Sequence, residues 1–275
     1  MQNNHHLSNK TILITGATDG IGKETARQLA MMDARVIIHG RNLEKAERVR
    51  EEIIVAASNE KVEIMIADFS SLNQVRSLAD QVLSTHEHLD VLINNAGVYT
   101  TKKAITPDGY EMTFAVNHLA HFLLTNLLLD RIKASAPARI ITVSSSAHFD
   151  ARFDIENLNA EKKFHGWGAY CISKLANLLF TFALARRLEK SGVTANSLHP
   201  GFINTNILGR DVPGRKPVAE GAETPVYLAS SNEVKDVSGQ YFSQKQITPP
   251  SELSRDVALQ EELWEISKQM TDLEA

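Results

Sequence analysis

A tyrosine and a lysine stand four residues apart in the pentapeptide YCISK, residues 170–174, at the start of a long apolar segment. Positions i and i+4 of an α-helix share one face, so a helix here would place the Tyr170 phenol near the Lys174 ammonium group. A free phenol loses its proton near pH 10, and a neighbouring cation lowers that pKa. The pair could therefore act as a general acid or base. The spacing alone is more often a tyrosine at a helix edge beside an unrelated solvated lysine.

Three consecutive serines add hydroxyl groups to this chemistry. Ser144, Ser145 and Ser146 follow the apolar run RIITV, which reads as a buried strand. A serine hydroxyl at the end of that strand would orient and polarise a substrate oxygen beside the phenol. The strand register leaves the choice among the three serines open.

A glycine-rich turn predicts a nucleotide site. The strand TILIT is followed by GATDGIG, which contains Gly16, Gly20 and Gly22 at the start of a helical pattern. Glycines at such a turn let the backbone approach a pyrophosphate at the helix N-terminus. The spacing is G-x-x-x-G-x-G instead of the usual G-x-G-x-x-G, and an ordinary tight turn is the alternative.

The end of the second strand indicates which dinucleotide binds. Sites selective for NAD commonly place an acid here, whereas this chain has Gly40 followed by Arg41. A guanidinium group suits a phosphate, so Arg41 predicts NADP(H) in preference to NAD(H). Asp68, just past the third strand, either caps the next helix or accepts a hydrogen bond from an adenine amine. The NNAG segment at 94–97 supplies asparagines that can tie neighbouring loops together.

Apolar runs alternate with amphipathic segments along the chain. The predicted strands are residues 11–15, 35–39, 62–67, 89–94, 139–144, 193–199 and, more weakly, 239–242. The predicted helices are 21–33, 43–58, 71–86, 108–136, 169–191 and 219–230. Continuous apolar strands alternating with helices predict one α/β domain over 1–275, a doubly wound, mostly parallel seven-stranded sheet with helices on both faces. Residues 146–168 and 202–218 are predicted loops on the substrate side, and residues 251–270 a C-terminal helix.

Composition excludes several classes of function. The chain has 275 residues, 43% of them hydrophobic, and a net charge of −4, which gives no electrostatic reason to expect nucleic acid or an anionic membrane. Its single cysteine, Cys171, excludes an internal disulfide and paired-cysteine metal sites. Residues 1–9 read as a polar tail, and the most apolar window, 121–129, is shorter than a membrane span. We therefore predict a soluble cytoplasmic protein without a bound metal.

Together, TGATDGIG, NNAG, YCISK and HPG (199–201), in this order, resemble the short-chain dehydrogenase/reductase family over nearly the whole chain. The resemblance implies a Rossmann-type domain and four catalytic residues: Asn117, Ser145, Tyr170 and Lys174. Ser145 matches the second serine of the family's strand-end pattern. The implied cofactor contacts are Gly16, Thr18, Asp19, Gly20, Ile21, Gly22, Arg41, Asp68, Phe69, Asn95, Ala96, Gly97, Tyr170, Lys174, Pro200, Gly201, Ile203 and Thr205.

Longer stretches such as VNHLAHFLLTNLLL and SGVTANSLHPG resemble the retinol-dehydrogenase-like branch, which typically uses NADP(H). The resemblance implies interconversion of an apolar alcohol and its aldehyde or ketone. The alternatives are NADPH-dependent reduction of an activated carbon–carbon double bond, or a catalytically silent NADP-binding regulator. Asp19 departs from the pattern, because some NADP-users carry a base there. Several animal members carry an apolar N-terminal anchor, and none is expected here.

Self-association is suggested by two segments, 118–131 and the Tyr170 helix, that are apolar on nearly all sides. In the family these helices often pair across a two-fold axis, which predicts a homodimer. The alternative is that the C-terminal helix covers the same surface within one chain.

Overall fold

A computed structural model describes residues 7–207 and 213–273. Its strands are β1 Thr11–Ile14, β2 Arg35–Gly40, β3 Val62–Ile66, β4 Val91–Asn94, β5 Ala138–Val143, β6 Val193–His199, β7 Tyr241–Ser243 and β8 Gln246–Ile247. They form one sheet in the order β3-β2-β1-β4-β5-β6-β7-β8, in which only the β7–β8 pair is antiparallel. The doubly wound parallel sheet is confirmed. The prediction of seven strands missed β8, because its two exposed residues, Gln246 and Ile247, are too few to form an apolar run.

Helices cover both faces of this sheet. They are α1 Gly20–Ala30, α2 Leu43–Ala57, α3 Leu72–Thr85, α4 Met112–Ala134, α5 Gly166–Arg187, α6 Val218–Ser230 and α7 Val257–Met270. Successive residues of β1 belong to opposite cores, because strand side chains alternate between faces. Leu13 packs with α3, α4, α5 and α7, whereas Ile12 and Ile14 pack with α1, α2 and α6. All four residues of β1 are buried, which explains why the strand is almost entirely apolar.

Helices α4 and α5, which we call the catalytic-side helices, differ in detail from the prediction. Helix α4 contains a π-helical turn, Ala115–Leu119, in which the Ala120 N–H donates to the Ala115 carbonyl. Helix α5 begins at Gly166 instead of residue 169, and an added Cβ at Gly166 would lie 2.4 Å from the Thr100 carbonyl oxygen. The preceding loop contains two short 3₁₀ turns, Ser146–Asp150 and Ile155–Asn157.

Parts of two predicted segments lie outside the described residues, namely residues 1–6 of the polar tail and residues 208–212 of the loop 202–218. Within the described part of the tail, Leu7 is buried, and its N–H donates to the Met32 carbonyl over 2.7 Å. Leu7 therefore belongs to the packed domain.

The C-terminal helix packs across the two apolar helices. The Trp264 ring lies 5.0 Å from that of Phe122 on α4 and 5.8 Å from that of Phe180 on α5. The Arg187 guanidinium lies over the indole, 3.9 Å from its ring centroid. The apolar excess of α4 and α5 therefore has a cover within the chain, and the homodimer stays a prediction.

Two helices, Met112–Ala134 and Gly166–Arg187, are long and apolar enough to cross a membrane by length and composition. In each, 78% of the apolar window is buried inside the protein, as in core helices of soluble proteins. The soluble, cytoplasmic location stays a prediction.

Candidate active site

The turn after β1 brings the main chain close to its neighbours. Gly16 has φ of 64°, in the left-handed region that favours glycine, and an added Cβ would lie 2.7 Å from the Ala96 Cα. An added Cβ on Gly22 would lie 2.5 Å from the Gly16 carbonyl oxygen. The turn therefore has no room for side chains at these positions, and its main chain stays open to a ligand at the α1 N-terminus.

Side chains at the ends of two strands, β2 and β4, fix this turn. The Asn95 amide donates to the carbonyl oxygens of Thr15 and Gly16, at 2.8 and 3.2 Å. His39 at the end of β2 accepts from the Gly16 N–H at Nδ1 over 3.3 Å and, as the complementary tautomer, donates from Nε2 to the Ala67 carbonyl over 3.0 Å. Burial lowers the pKa of His39 to about 4, so the ring is neutral and Nδ1 can accept. Sequence reasoning missed His39, because no motif marks it.

Asp19 is paired with a lysine on the next helix. Its carboxylate accepts from the Gly20 N–H at the start of α1, and it lies 2.9 Å from Lys45 Nζ and 2.8 Å from Asn206 Nδ2. Partial burial alone would raise the pKa of Asp19, but the Lys45 and Gly20 hydrogen bonds outweigh it and lower the pKa. The negative charge of Asp19, which would disfavour a bound phosphate, is therefore balanced by Lys45. The sequence interpretation missed this lysine.

The two readings of Asp68 are now distinguishable. Helix α3 begins after Ser71, and the Leu72 N–H donates to the Asp108 carboxylate over 2.8 Å, so Asp68 does not cap the helix. The Asp68 carboxylate accepts from the Ser70 N–H over 2.9 Å at the edge of the cavity. Phe69 is buried beside it, and its ring stacks on His39 at 4.3 Å.

One cavity of about 670 Å³ runs from the glycine turn to Tyr170 and Lys174. We call the region around Gly16, Gly22 and Asn95 the nucleotide end, and the region around Ser145, Tyr170 and Lys174 the chemical end. Every predicted cofactor contact lines the cavity, that is Gly16, Thr18, Asp19, Gly20, Ile21, Gly22, Arg41, Asp68, Phe69, Asn95, Ala96, Gly97, Tyr170, Lys174, Pro200, Gly201, Ile203 and Thr205. Lys45, His39, His199 and Arg215 also line it and were not predicted.

Contacts of the three serines separate their roles. Ser144 is buried, and its hydroxyl donates to the Lys174 carbonyl over 2.7 Å, which ties the end of β5 to α5. Ser146 is exposed. Ser145 lines the cavity, and its hydroxyl acts to lower the pKa of Tyr170. Of the three candidates left open by the sequence, only Ser145 influences the pKa of the phenol.

Burial dominates the ionisation of the tyrosine and lysine. It raises the pKa of Tyr170 to about 12, and the Ser145 hydrogen bond acts in the opposite direction. Burial also lowers the pKa of Lys174 to about 8, and its Nζ lies 3.1 Å from the Val143 carbonyl and 5.5 Å from the Tyr170 ring centroid. In the protein alone the pKa of Tyr170 is therefore raised by burial, where a lowered value was expected. Tyr170 is protonated at neutral pH, as a proton donor must be.

Asn117 lies in the π turn directly behind the cavity. Its side chain is fully buried and forms two hydrogen bonds with Val98, accepting from the N–H over 2.7 Å and donating to the carbonyl over 3.0 Å. Its amide also donates to the Ser173 hydroxyl on α5. Asn117 therefore joins the loop after β4 to both catalytic-side helices, and it is the one predicted catalytic residue that does not line the cavity.

Aromatic residues form the rim at the chemical end. The Trp167 ring stacks beside Tyr170 at 5.8 Å, and Tyr99 meets it edge-on at 5.9 Å. Phe202 is half-exposed under the Arg215 guanidinium, 4.9 Å away. A substrate reaching Tyr170 would pass mainly apolar surface.

Comparisons with known proteins agree with this geometry. The short chain dehydrogenase family matches residues 10–216. Human retinol dehydrogenase 11 is 42% identical over 271 residues, which cover 95% of this chain and 85% of that protein. A solved structure of an uncharacterized protein from Mycobacterium paratuberculosis superposes with a TM-score of 0.81 at 35% identity, covering 97% of this chain and 94% of the other.

A short chain dehydrogenase from Burkholderia cenocepacia, solved in complex with NADP, superposes with a TM-score of 0.72 at 25% identity and covers 86% of this chain and 96% of its own. The fold and the lined cavity define a nicotinamide-dependent oxidoreductase. The chain belongs to the short-chain dehydrogenase family and, within it, to the retinol-dehydrogenase-like branch.

Proposed function

We propose that this protein is an NADP(H)-dependent oxidoreductase that interconverts an apolar alcohol and its aldehyde or ketone, with Tyr170 as general acid and base. The observation that carries the proposal is that Ser145, Tyr170 and Lys174 line the same cavity together, with Lys174 Nζ 5.5 Å from the Tyr170 ring centroid. These groups lie at one end of the cavity whose other end is the glycine turn.

The residues at the nucleotide end fit a dinucleotide. Gly16 and Gly22 have no side chains and no space for them. A pyrophosphate can therefore approach the main chain of the turn at the α1 N-terminus. Arg41 is exposed at the cavity wall, and within the described part of the chain it forms no ion pair or hydrogen bond. Its guanidinium suits a 2′-phosphate, and Lys45 lies on the same wall. When bound, the nicotinamide ring supplies or accepts the hydride.

The chemical end supplies the proton. In the reductive direction, Tyr170 Oη donates its proton to the carbonyl oxygen as that oxygen gains charge. Ser145 Oγ donates a hydrogen bond to the same oxygen and polarises it. Lys174 stabilises the phenolate that Tyr170 leaves behind, because a nearby cation favours the ionised form. In the oxidative direction the phenolate accepts the alcohol proton.

The rim supports an apolar substrate. Trp167 and Phe202 present aromatic surface, whereas Asp150 and Arg215 place charge on the same cavity wall. Burying an uncharged apolar chain against the aromatic side chains is favourable at roughly 25 cal/mol per Å². The relative named retinol dehydrogenase 11 agrees with a substrate of this character.

The test measures NADPH oxidation with a panel of apolar aldehydes, ketones, quinones and enones, with analysis of the products. We expect aldehydes or ketones to be converted to alcohols. An enone reduced only at its carbon–carbon bond would assign the alternative double-bond reduction. Tight NADPH binding with no turnover across the panel would assign a silent regulator.

A further inference from the structure

The peptide unit that follows Ser145 is held at both ends by histidines. Its carbonyl oxygen accepts from His148 Nδ1 over 2.6 Å, and its amide, the Ser146 N–H, donates to His199 Nδ1 over 3.2 Å. His148 is buried in the 3₁₀ turn after β5, and His199 ends β6 on the cavity wall. His199 is the first residue of the HPG segment, but the sequence assigned neither histidine a role in catalysis.

The two rings require opposite tautomers. Because the Ser145 carbonyl can only accept, His148 carries its proton on Nδ1, and its Nε2 accepts from the Ser251 N–H over 3.1 Å. His199 accepts at Nδ1 and so carries its proton on Nε2. Burial lowers the pKa of both rings, that of His199 to about 4, so both are neutral at physiological pH.

We propose that His148 and His199 form a clamp on the Ser145–Ser146 peptide that orients the Ser145 hydroxyl toward Tyr170. Both are positioning residues, and neither is assigned contact with the reacting atoms. The inference rests on the proposed function, because it assumes that the Ser145 hydroxyl takes part in the reaction.

The geometry explains why this peptide needs a clamp. Ser145 has extended backbone angles, φ −163° and ψ 155°, and its Oγ accepts from the Ala147 N–H over 3.2 Å. Rotating the peptide after Ser145 would move the Ala147 N–H away from Oγ. Ser145 would then lose the contact that keeps its hydroxyl beside Tyr170.

The clamp also reaches the C-terminal region. Ser251 follows β8, and through its N–H the His148 ring is fixed from outside the β5–α5 loop. The ring also packs edge-on against Tyr241 of β7 at 5.0 Å. The orientation of Ser145 is thus set by groups that are far away in the sequence.

The experiment compares two substitutions at one position. Asn at 148 can place an amide N–H near the site of Nδ1 and keep the donor to the Ser145 carbonyl, whereas Gln reaches the site of Nε2 and loses it. We expect His148→Asn to keep kcat within about threefold and His148→Gln to lower it about tenfold or more, with NADPH affinity unchanged. Equal losses in the two variants would show a packing role and overturn the clamp.

A double-mutant cycle with Ser145→Ala then separates positioning from general damage. If His148 acts through the Ser145 hydroxyl, His148→Gln should lower kcat in the parent protein but change it little in the Ser145→Ala background. Additive losses would overturn the proposal. If Ser145→Ala itself retains full activity, the role of Ser145 in the proposed function is wrong. That result differs from additive losses, which contradict only the clamp.

The second arm of the clamp and a control complete the test. His199→Asn retains an acceptor for the Ser146 N–H and should keep most of kcat, whereas His199→Leu should lose about as much as His148→Gln. If His148→Gln does not fold, this pair decides the proposal, and equal activity in the two variants overturns it. His86→Gln removes a buried histidine beside Glu63, remote from the cavity, and is the control for a buried-histidine change.

Discussion

The two ends of the cavity are built in different ways. At the nucleotide end the main chain itself forms the site, and Gly16 and Gly22 have no space for a side chain. At the chemical end the site consists of the side chains of Ser145, Tyr170 and Lys174, and hydrogen bonds from Ser144 and Lys174 join the end of β5 to α5.

This difference separates two kinds of sensitivity. The nucleotide end should fail when atoms are added, because the added atom meets backbone that cannot move away. The chemical end should tolerate substitutions that preserve shape and fail when one particular proton or donor is removed. Some changes in sequence or pH should therefore disrupt both ends of the cavity, and others should disrupt only one end.

The largest expected effect is acid destabilisation, which strikes both ends. Burial lowers the pKa of His39 at the nucleotide end and of His118 in helix α4 to about 4, and that of His121 in the same helix to about 3. The unfolded chain takes up these protons near pH 6.5, so it binds more protons than the folded chain below that pH. The free energy of unfolding should fall as pH drops from about 6.5 to about 4, by several kcal/mol in total. Urea unfolding at pH 7.5 and pH 5 measures it, and equal stabilities would contradict the buried neutral rings.

A smaller loss should follow from changes behind the chemical end. Trp264→Ala removes the indole that contacts Phe122 and Phe180, and it should cost roughly 3 kcal/mol or more of unfolding free energy. Trp167→Ala is the matched control, because Trp167 is 37% exposed, compared with 8% for Trp264. Thermal or urea unfolding compares them. Similar losses in both variants would mean that α7 is not part of the core.

Adding one methyl group should break only the nucleotide end. Gly22→Ala places a Cβ 2.5 Å from the Gly16 carbonyl oxygen, so NADPH affinity should fall more than about 100-fold, or ~2.7 kcal/mol. Fluorescence titration with NADPH measures this. Gly168→Ala adds the same methyl where the nearest atoms are 3.8 Å away, and its NADPH affinity should match that of the parent protein. Unchanged affinity in Gly22→Ala would refute the crowded turn.

The smallest expected change sharpens the assignment of the nucleotide. We expect Arg41 to favour NADPH over NADH by about tenfold, or ~1.4 kcal/mol, through the 2′-phosphate. Arg41→Ala should remove most of that preference and leave NADH affinity nearly unchanged. Titrations with both nucleotides measure it. Equal affinities for NADPH and NADH in the parent protein would contradict the assignment of NADP(H). A preference for NADPH that survives Arg41→Ala would assign the 2′-phosphate contact to Lys45 instead.

The nucleotide end was predictable from sequence because its signal is local. Apolar runs gave seven of the eight strands, and the glycine spacing gave the turn, since close backbone approach leaves a mark in the sequence itself. His39 and Lys45 escaped prediction because their roles depend on the distance between neighbouring strands and helices. A histidine at a strand end or a lysine on a helix carries no signal of its own.

The sequence predicted which residues form the chemical end, but not how they are arranged in space. The spacing of Tyr170 and Lys174 and the serine run identified the groups, but Ser144, Ser145 and Ser146 could be separated only by their contacts. The π turn around Asn117 depends on hydrogen bonds to a loop 19 residues earlier in the chain, which no helical periodicity reveals. The direction of the Tyr170 pKa shift depends on burial, which the sequence does not give.

Tyr170→Phe tests the central claim most directly. The substitution keeps the ring between Trp167 and Tyr99 and removes only the hydroxyl. Carbonyl-dependent NADPH oxidation should fall by at least about 100-fold with NADPH affinity unchanged, while the surface variant Tyr227→Phe keeps full activity. Substantial carbonyl reduction by Tyr170→Phe would contradict the role of Tyr170 as the proton donor.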